Sequence, residues 1–479
     1  MNPSVINQKI SMDSNLTEFS NIHNSRVNCE MPSESLKGDR IVYWMHASHR
    51  SWENPALEYS VKISNESKKP LDVLTILDSR YPEANRRSFK FLLEGLNDVN
   101  EGLDLRGIHF SIRTGDTVTE LLTHLGGVAA LVTDFGYLHH HKKWYNEIHQ
   151  CFDKPICHVE SNVVVPVTQV TNKEEWSAAT IRRKINPLLE LFLNSSGEMP
   201  LENTSRGLWD EGCEWKGVDN HLNELDMAHG ADPSPFLRGG QKEAFRLFSL
   251  FLHHNLPCYS GGRNDPMRNC VSDMSPYLHF GQISPISLAS KVFSIKDVNS
   301  EAFLEQLIVR RELAINFVHY NNSYDRFEGL PEWCKTTLEQ HKYDQREYNY
   351  NIEELEQGKT HDPYWNAAQR ELLSTGKMHN YMRMYWGKKI IEWSENPELA
   401  FENTLRLNNR YGLDGRDANS YAGVAWCFGK HDRPWKERPT FGKIRYMNAK
   451  GLERKFDMVA YVNKTLQNKE MIENIDFQF

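Results

Sequence analysis

The period of the apolar residues changes once along this chain, and that change limits the folds open to it. Between Ile41 and Glu160 the apolar residues form short runs: IVYWM (41–45), VLTIL (73–77), IHFSI (108–112), AALVTDF (129–135) and PICHVE (155–160). Each has strand length. Stretches such as RRSFKFLLEGLNDV and TVTELLTHL lie between them and have helical spacing. Strand and helix alternating at about 30-residue intervals predict βαβ units and a parallel sheet covered on both faces. After Pro235 the spacing is helical, as in QKEAFRLFSLFLHH, SEAFLEQLIVRRELAINFVHY and TLEQHKYDQREY,. The fold class is therefore α/β followed by all-α. The boundaries read as a flexible tail (1–38, rich in Ser and Asn), an α/β domain (39–194), a turn-rich connector (195–240) and a helical domain (241–479),.

No GxGxxG follows the first strand, so a dinucleotide site there has no support. GDT (115–117) has the residues of a helix cap,. The chain has no run of about eighteen apolar residues and no secretory leader pattern, so the expected location is intracellular, in the nucleus or cytoplasm, and not in a membrane. Eight scattered cysteines without a CxxC pair read as free thiols of a reducing compartment,. The net charge of −8 argues against general attraction to nucleic acid, yet residues 430–456 carry nine lysines and arginines against three acids. That local basic footprint suits phosphate.

Residues 378–393, MHNYMRMYWGKKIIEW, hold two tryptophans and two tyrosines where a packing helix would use leucine. Positions seven apart nearly superpose on a helix, so Trp386 and Trp393 share a face with Tyr385 beside them. Core packing alone accounts for such a stripe; a redox role is the alternative.

The surrounding motifs are long: THDPYWNAAQRELLSTGKMHNYMRMYWGKKIIEWS (360–394), LNNRYGLDGRDANSYAGVAWCFGKHDRPWKERPTFGKIRYMN (407–448), GGRNDPMRNCVSDMSPYLHFGQIS (261–284) and VRRELAINFVHYNNSYD (309–325). Together they closely resemble class II cyclobutane pyrimidine dimer photolyases of the cryptochrome/photolyase family, in order from about residue 40 to about 460. The resemblance implies an N-terminal Rossmann-like domain and a helical domain that holds FAD, with reduced FADH⁻ as the active form. It implies light-driven repair of cyclobutane pyrimidine dimers in UV-damaged DNA, by a monomer. An antenna chromophore of deazaflavin or folate type stands as a further expectation.

By matching position, Trp386 and Trp365 are the inner members of an electron-carrying chain and Trp393 the outer one. Tyr259, Ser272, Asp273, Met274, Ser275 and Arg311 match flavin-contacting positions. Arg383 and Asp414 match an ion pair beside the flavin ring. Asn408 matches a side chain at flavin N5, where an amide can donate or accept. Trp426 and Met384 match positions packing on a flipped dimer, whose poor stacking lowers the cost of leaving the duplex. Arg263, Arg433 and Arg445 match contacts to lesion phosphates or the opened duplex.

The chain departs from the family pattern in three places. Gln306 stands where a Glu normally contacts the dimer; it keeps the shape and loses a proton-linked role, and Glu305 points elsewhere on the helix. WCFGKHDR is one residue short in the loop after Trp426. TDFGYLHHH and ESNVVVPV replace the family's TDFSPLR-like and DAHNVVPV stretches, which puts antenna binding in question. The alternative reading motivated by the first two departures is a cryptochrome-like blue-light receptor with lost or reduced repair. His139, His140 and His141 point about 100° apart on a helix, so no metal site is expected there, and HKKW reads as its polar face.

Overall fold

The computed structural model describes residues 22–29, 36–208, 213–227 and 230–476. Six strands form one sheet: β1 (Val27–Asn28), β2 (Ile41–Trp44), β3 (Leu71–Leu77), β4 (His109–Thr114), β5 (Ala130–Asp134) and β6 (Ile156–Val159), in the order β1-β6-β5-β2-β3-β4. All pairings are parallel except β1 with β6. Alternate residues serve opposite faces. Ile41, Tyr43, Val73 and Val132 pack under the helices Pro55–Ser67 and Arg86–Leu105, while Val42, Trp44, Leu74 and Leu131 meet Leu121 and Ile148 of the helices Thr117–His124 and His139–Cys151. Both faces are dry, as a parallel sheet requires. Asp116 caps the Thr117–His124 helix through the Thr119 amide, 2.8 Å away.

Part of the stretch read as a flexible tail is built into the sheet. β1 adds an antiparallel edge, and Arg26 beside it is buried, its guanidinium donating to the carbonyl oxygens of Val163 (2.9 Å), Val164 (2.5 Å) and Phe192 (3.3 Å). Residues 1–21 and 30–35 of that stretch lie outside the described residues. The expectation of free thiols is corrected as well. Cys29 is bonded to Cys157 and Cys258 to Cys270, whereas Cys151, Cys213, Cys334 and Cys427 are free. Separations of 128 and 12 residues give no sequence signal for pairing; the folded chain decides it.

From Gln241 on the described chain is helical, with one core around Phe251 and Phe303 and another around Trp365 and Trp386. TLEQHKYDQREY is helical only to Gln340. Beyond it His341 bonds Asp344 (2.6 Å) and Glu437 (3.0 Å), and Arg346 takes the carbonyls of Lys342 and Asp344, so side chains compete with the helical ladder,. The two halves are joined by buried arginines. Arg50 donates to the carbonyls of Ser161 and Gly281 (2.8 and 2.9 Å), and Arg87 to those of Leu372 and Tyr411 (both 3.1 Å). Gly281 sits at φ +65° and an added Cβ would lie 2.0 Å from the Ala47 carbonyl oxygen, so only glycine fits this contact,. No helix among the described residues is long and apolar enough to cross a membrane.

Candidate active site

A cavity of about 580 Å³ opens within the helical region. Tyr259, Arg263, Ser272, Asp273, Met274, Ser275, Gln306, Arg311, Arg383, Met384, Trp386, Asn408, Asp414 and Trp426 all line it. Residues named from separate motifs thus converge on one space, of a size that suits a cofactor together with a planar substrate.

One wall is the 271–276 loop. Asp273 takes a left-handed φ of 58°, which turns the chain into the short Ser275–His279 helix at the cavity lining. The Ser275 hydroxyl donates to Asp414 (2.8 Å), and Arg383 donates to both oxygens of that carboxylate (3.0 and 3.3 Å). Burial opposes ionisation of Asp414, but Arg383 and Ser275 outweigh it and hold the carboxyl below its usual range,. Sequence reasoning missed Lys377. It lines the cavity, pairs with Asp273, and burial lowers its ammonium to about 8. A lone lysine in a turn before a helix carries no pattern that would single it out.

Asn408 donates to the Ser420 hydroxyl (2.6 Å), which in turn donates to Asn409 (2.5 Å), while Asn408 Oδ1 is buried without a partner. Arg383 Nε is likewise orphaned. Unpartnered buried polar atoms on residues that line a cavity suit a polar occupant,. With Arg263, Arg311 and Lys377 on its walls, the space fits an anionic, hydrogen-bonding heterocycle such as FAD.

The opposite wall begins the aromatic series. Trp386 and Trp365 stack at 6.1 Å and 9°, and Trp365 meets Trp393 at 5.7 Å and 66°. The order is therefore Trp386, Trp365, Trp393, with the ring from the Pro363–Thr375 helix inserted between the two from the Asn380–Trp393 helix. Trp393 is last of the three but does not reach the surface; it is 2% exposed. Tyr350 (5.4 Å) and the exposed His361 (5.2 Å) cover it, and the Tyr350 hydroxyl is bonded to His361 Nδ1 at 2.8 Å. Tyr385 donates to Asp362 and is fully buried. Sequence reasoning missed Tyr350 and His361, because both stand outside the regular helices, before and after Ile352–Glu356, and no spacing ties them to Trp393.

Gln306 faces the cavity from the π-helical turn Glu305–Arg310,. Glu305 turns away, bonding Arg182 (2.7 and 2.9 Å) and Arg310 (3.1 Å). Behind Trp426 stands Arg445, its guanidinium 5.6 Å from the ring and held by Asp432 at 2.7 and 3.0 Å. Arg433 is exposed and lies over Trp435, itself 40% exposed. The basic segment is less free than its composition suggests. Lys430 is buried against Glu174 and Phe317, because the short loop turns inward through Gly429 (φ +103°) and His431 (φ 60°).

A second cavity, of about 170 Å³, lies at the carboxyl ends of β2 and β5, the topological switch point of the sheet,. His46, Phe135, His141 and Trp144 line it together with Phe280 and Arg416 from the helical region. The HHHKKW helix is thus not a polar face throughout. Burial holds the His140 and His141 imidazoles neutral, lowering the former to about 3. Gly136 accommodates this arrangement: a Cβ there would come within 2.3 Å of the His141 ring. Among the described residues no group of three or more His, Cys, Asp or Glu is placed to hold a metal.

A two-part chain with a switch-point crevice in the sheet and a tryptophan-walled cavity in the helices defines the photolyase/cryptochrome class. A solved archaeal photolyase from Sulfolobus tokodaii shares the fold at a TM-score of 0.67 and 17% identity, covering 88% of this chain and 89% of that one. Residues 41–203 match the DNA photolyase family model. The deoxyribodipyrimidine photo-lyase of Methanothermobacter thermautotrophicus is 48% identical over 92% of this chain and 98% of its own. That of Arabidopsis thaliana is 39% identical over 88% of each. The chain belongs to the deoxyribodipyrimidine photo-lyase family, and is class II-like.

Proposed function

We propose that the chain holds reduced FAD in the 580 Å³ cavity and splits cyclobutane pyrimidine dimers in DNA under blue or near-UV light. The observation that carries this reading is the convergence on one cavity of Asn408, the Arg383–Asp414 pair, Trp386 and Trp426. Reduced FAD, when bound, supplies a light-excited electron to the dimer and recovers it after the ring opens. The protein's part is to bind, orient and keep dry. Ser272, Ser275 and the amides around Asp273 and Met274 would hold the pyrophosphate, and Tyr259, Arg311 and Lys377 would contact the cofactor from the same cavity. Arg383 and Asp414 would sit beside the ring, and Asn408 would offer its unpartnered carbonyl oxygen to a protonated ring nitrogen. Trp386, Trp365 and Trp393 return electrons to oxidised cofactor; their indoles ionise at potentials that aliphatic side chains cannot reach.

The flipped dimer packs on Trp426 and Met384, with Gln306 donating its amide N–H to a pyrimidine carbonyl. Arg263, Arg433 and Arg445 take the phosphates around it. An antenna chromophore of deazaflavin or folate type would seat in the smaller cavity, whose aromatic lining and neutral histidines suit a flat conjugated ring. The receptor alternative rests on Gln306 and the short loop after Trp426.

The deciding measurement is turnover of a defined thymine dimer per absorbed photon with cofactor fully prereduced. We expect light-dependent repair, and none in the dark. Flavin binding and photoreduction without any repair would replace this reading with the receptor.

A further inference from the structure

Trp386 and Trp426 both line the large cavity, so proximity alone does not decide which indole gives up an electron there. Their surroundings differ in sign. The Trp386 indole N–H donates to Gln369 Oε1 (2.9 Å) and that of Trp365 to the Trp386 carbonyl oxygen (3.0 Å), so the negative ends of two dipoles face the relay rings. Trp426 is flanked by cations instead. Lys388 Nζ is 5.1 Å from its ring centroid and Arg445 is 5.6 Å away.

Lys388 is 0% exposed, donates to the Cys427 carbonyl oxygen, and has no carboxylate within ion-pairing distance among the described residues. Its neighbour Lys389 also lies near a relay ring, 5.6 Å from Trp393, but Glu392 neutralises it at 2.6 Å. Arg445 is likewise offset by Asp432. Lys388, Arg445 and Asp432 together leave one net positive charge, and the buried ammonium behind Trp426 carries it without an ion-pair partner among the described residues, Asp432 acting on it only at longer range. Burial lowers it to about 8, which leaves it largely protonated at neutral pH.

A fixed cation destabilises the radical cation formed when an indole loses an electron, and does so most where water cannot screen it. We propose that Lys388 acts as an electrostatic guard on Trp426: it makes that indole hard to oxidise, so that electrons leave Trp386 and the rings behind it. The inference rests on the proposed flavin photochemistry. Trp426 then stays an intact stacking surface for substrate, although it shares the cavity with an electron donor. Lys388 is a positioning residue in electrostatic terms and touches neither substrate nor cofactor.

The test needs no light. Azidyl radical generated in aerated solution takes one electron from an accessible indole and becomes azide; the indole cation then loses its N–H proton to water, and dissolved oxygen adds to the neutral radical and carries it on to stable oxygenated products. Oxidation at residue 426, read by peptide mass spectrometry of the holoprotein in the dark, is normalised to the exposed Trp176. Lys388→Met should raise it by at least about fivefold, and Lys388→Arg should return it to the parent level. Quenching of tryptophan fluorescence by neutral acrylamide should not change, which separates potential from access. If Lys388→Met does not fold, Arg445→Gln is read in its place, with an expected rise of about twofold. Equal oxidation at 426 in parent and variant, or no recovery with Arg, overturns the proposal. Failure of the flavin reading would appear separately, as a parent protein that does not photoreduce.

Discussion

Trp365 lies parallel to Trp386 at 6.1 Å and donates its indole N–H to the Trp386 backbone carbonyl, so the two rings are held in stack by a hydrogen bond as well as by packing. Trp365→Phe keeps an aromatic ring in the core but removes both the donor and the ionisable indole. Photoreduction with an external thiol should fall by at least about tenfold, while repair by chemically prereduced protein stays within about twofold of the parent. Flash photolysis and photon-normalised repair assays check the two halves. Photoreduction at the parent rate would place the electron route elsewhere.

Trp393 is sealed from water by Tyr350 and His361, so an electron from a thiol in solution must cross them. Tyr350 can pass its phenol proton to His361 Nδ1 as it gives an electron to the oxidised indole. Tyr350→Phe should slow the thiol-dependent recovery of Trp393 by about threefold to tenfold and leave its initial oxidation unchanged. Time-resolved absorption separates the two phases.

Glu312 is buried, accepts from the Val164 amide (2.6 Å), and burial raises its carboxyl to about 7 despite that bond and the nearby arginines. A carboxyl whose folded pKa is raised contributes fully below its unfolded value near 4.5, and its contribution is lost as pH climbs through about 7,. Glu312→Gln retains an acceptor without the charge. Its stability to denaturant should match the parent near pH 5 and exceed it at pH 8, by on the order of 2 kcal/mol. Parallel curves across that range would refute the assignment.

Arg445 is half committed to Asp432, so its loss both removes a cation from the proposed DNA face and leaves a carboxylate there. Arg445→Ala should weaken damaged and undamaged duplex alike and flatten the salt slope by about one unit. Equilibrium binding at several ionic strengths reads it. An unchanged slope would move the phosphate track to another surface.

Gln306 donates whatever the pH. Gln306→Glu should alter repair per photon more than dimer affinity, because a carboxyl and an amide differ most once charge reaches the dimer. Paired quantum-yield and binding measurements decide; a change in affinity alone would confine Gln306 to docking.

Strand runs such as VLTIL and the helical spacing after Pro235 make the fold class legible in the amino-acid sequence, because burial on one side of a repeat leaves its period there. The family resemblance that the long motifs carry points to fourteen residues that line one cavity. What needs the tertiary structure is what depends on segments remote in the chain. Only the folded chain inserts Trp365 between Trp386 and Trp393, buries Trp393 behind Tyr350 and His361, joins Cys29 to Cys157, and turns residues 27–28 into a sheet edge. The charge beside Trp426 belongs with these. Lys388 reads in sequence as one of two adjacent lysines on a helix. Both are buried, but helical rotation and packing against the Cys427 carbonyl leave Lys388 without an ion-paired carboxylate among the described residues, while Lys389 finds Glu392. Sequence determines which residue types are available, and desolvation, which exists only in the folded state, decides which of their charges count.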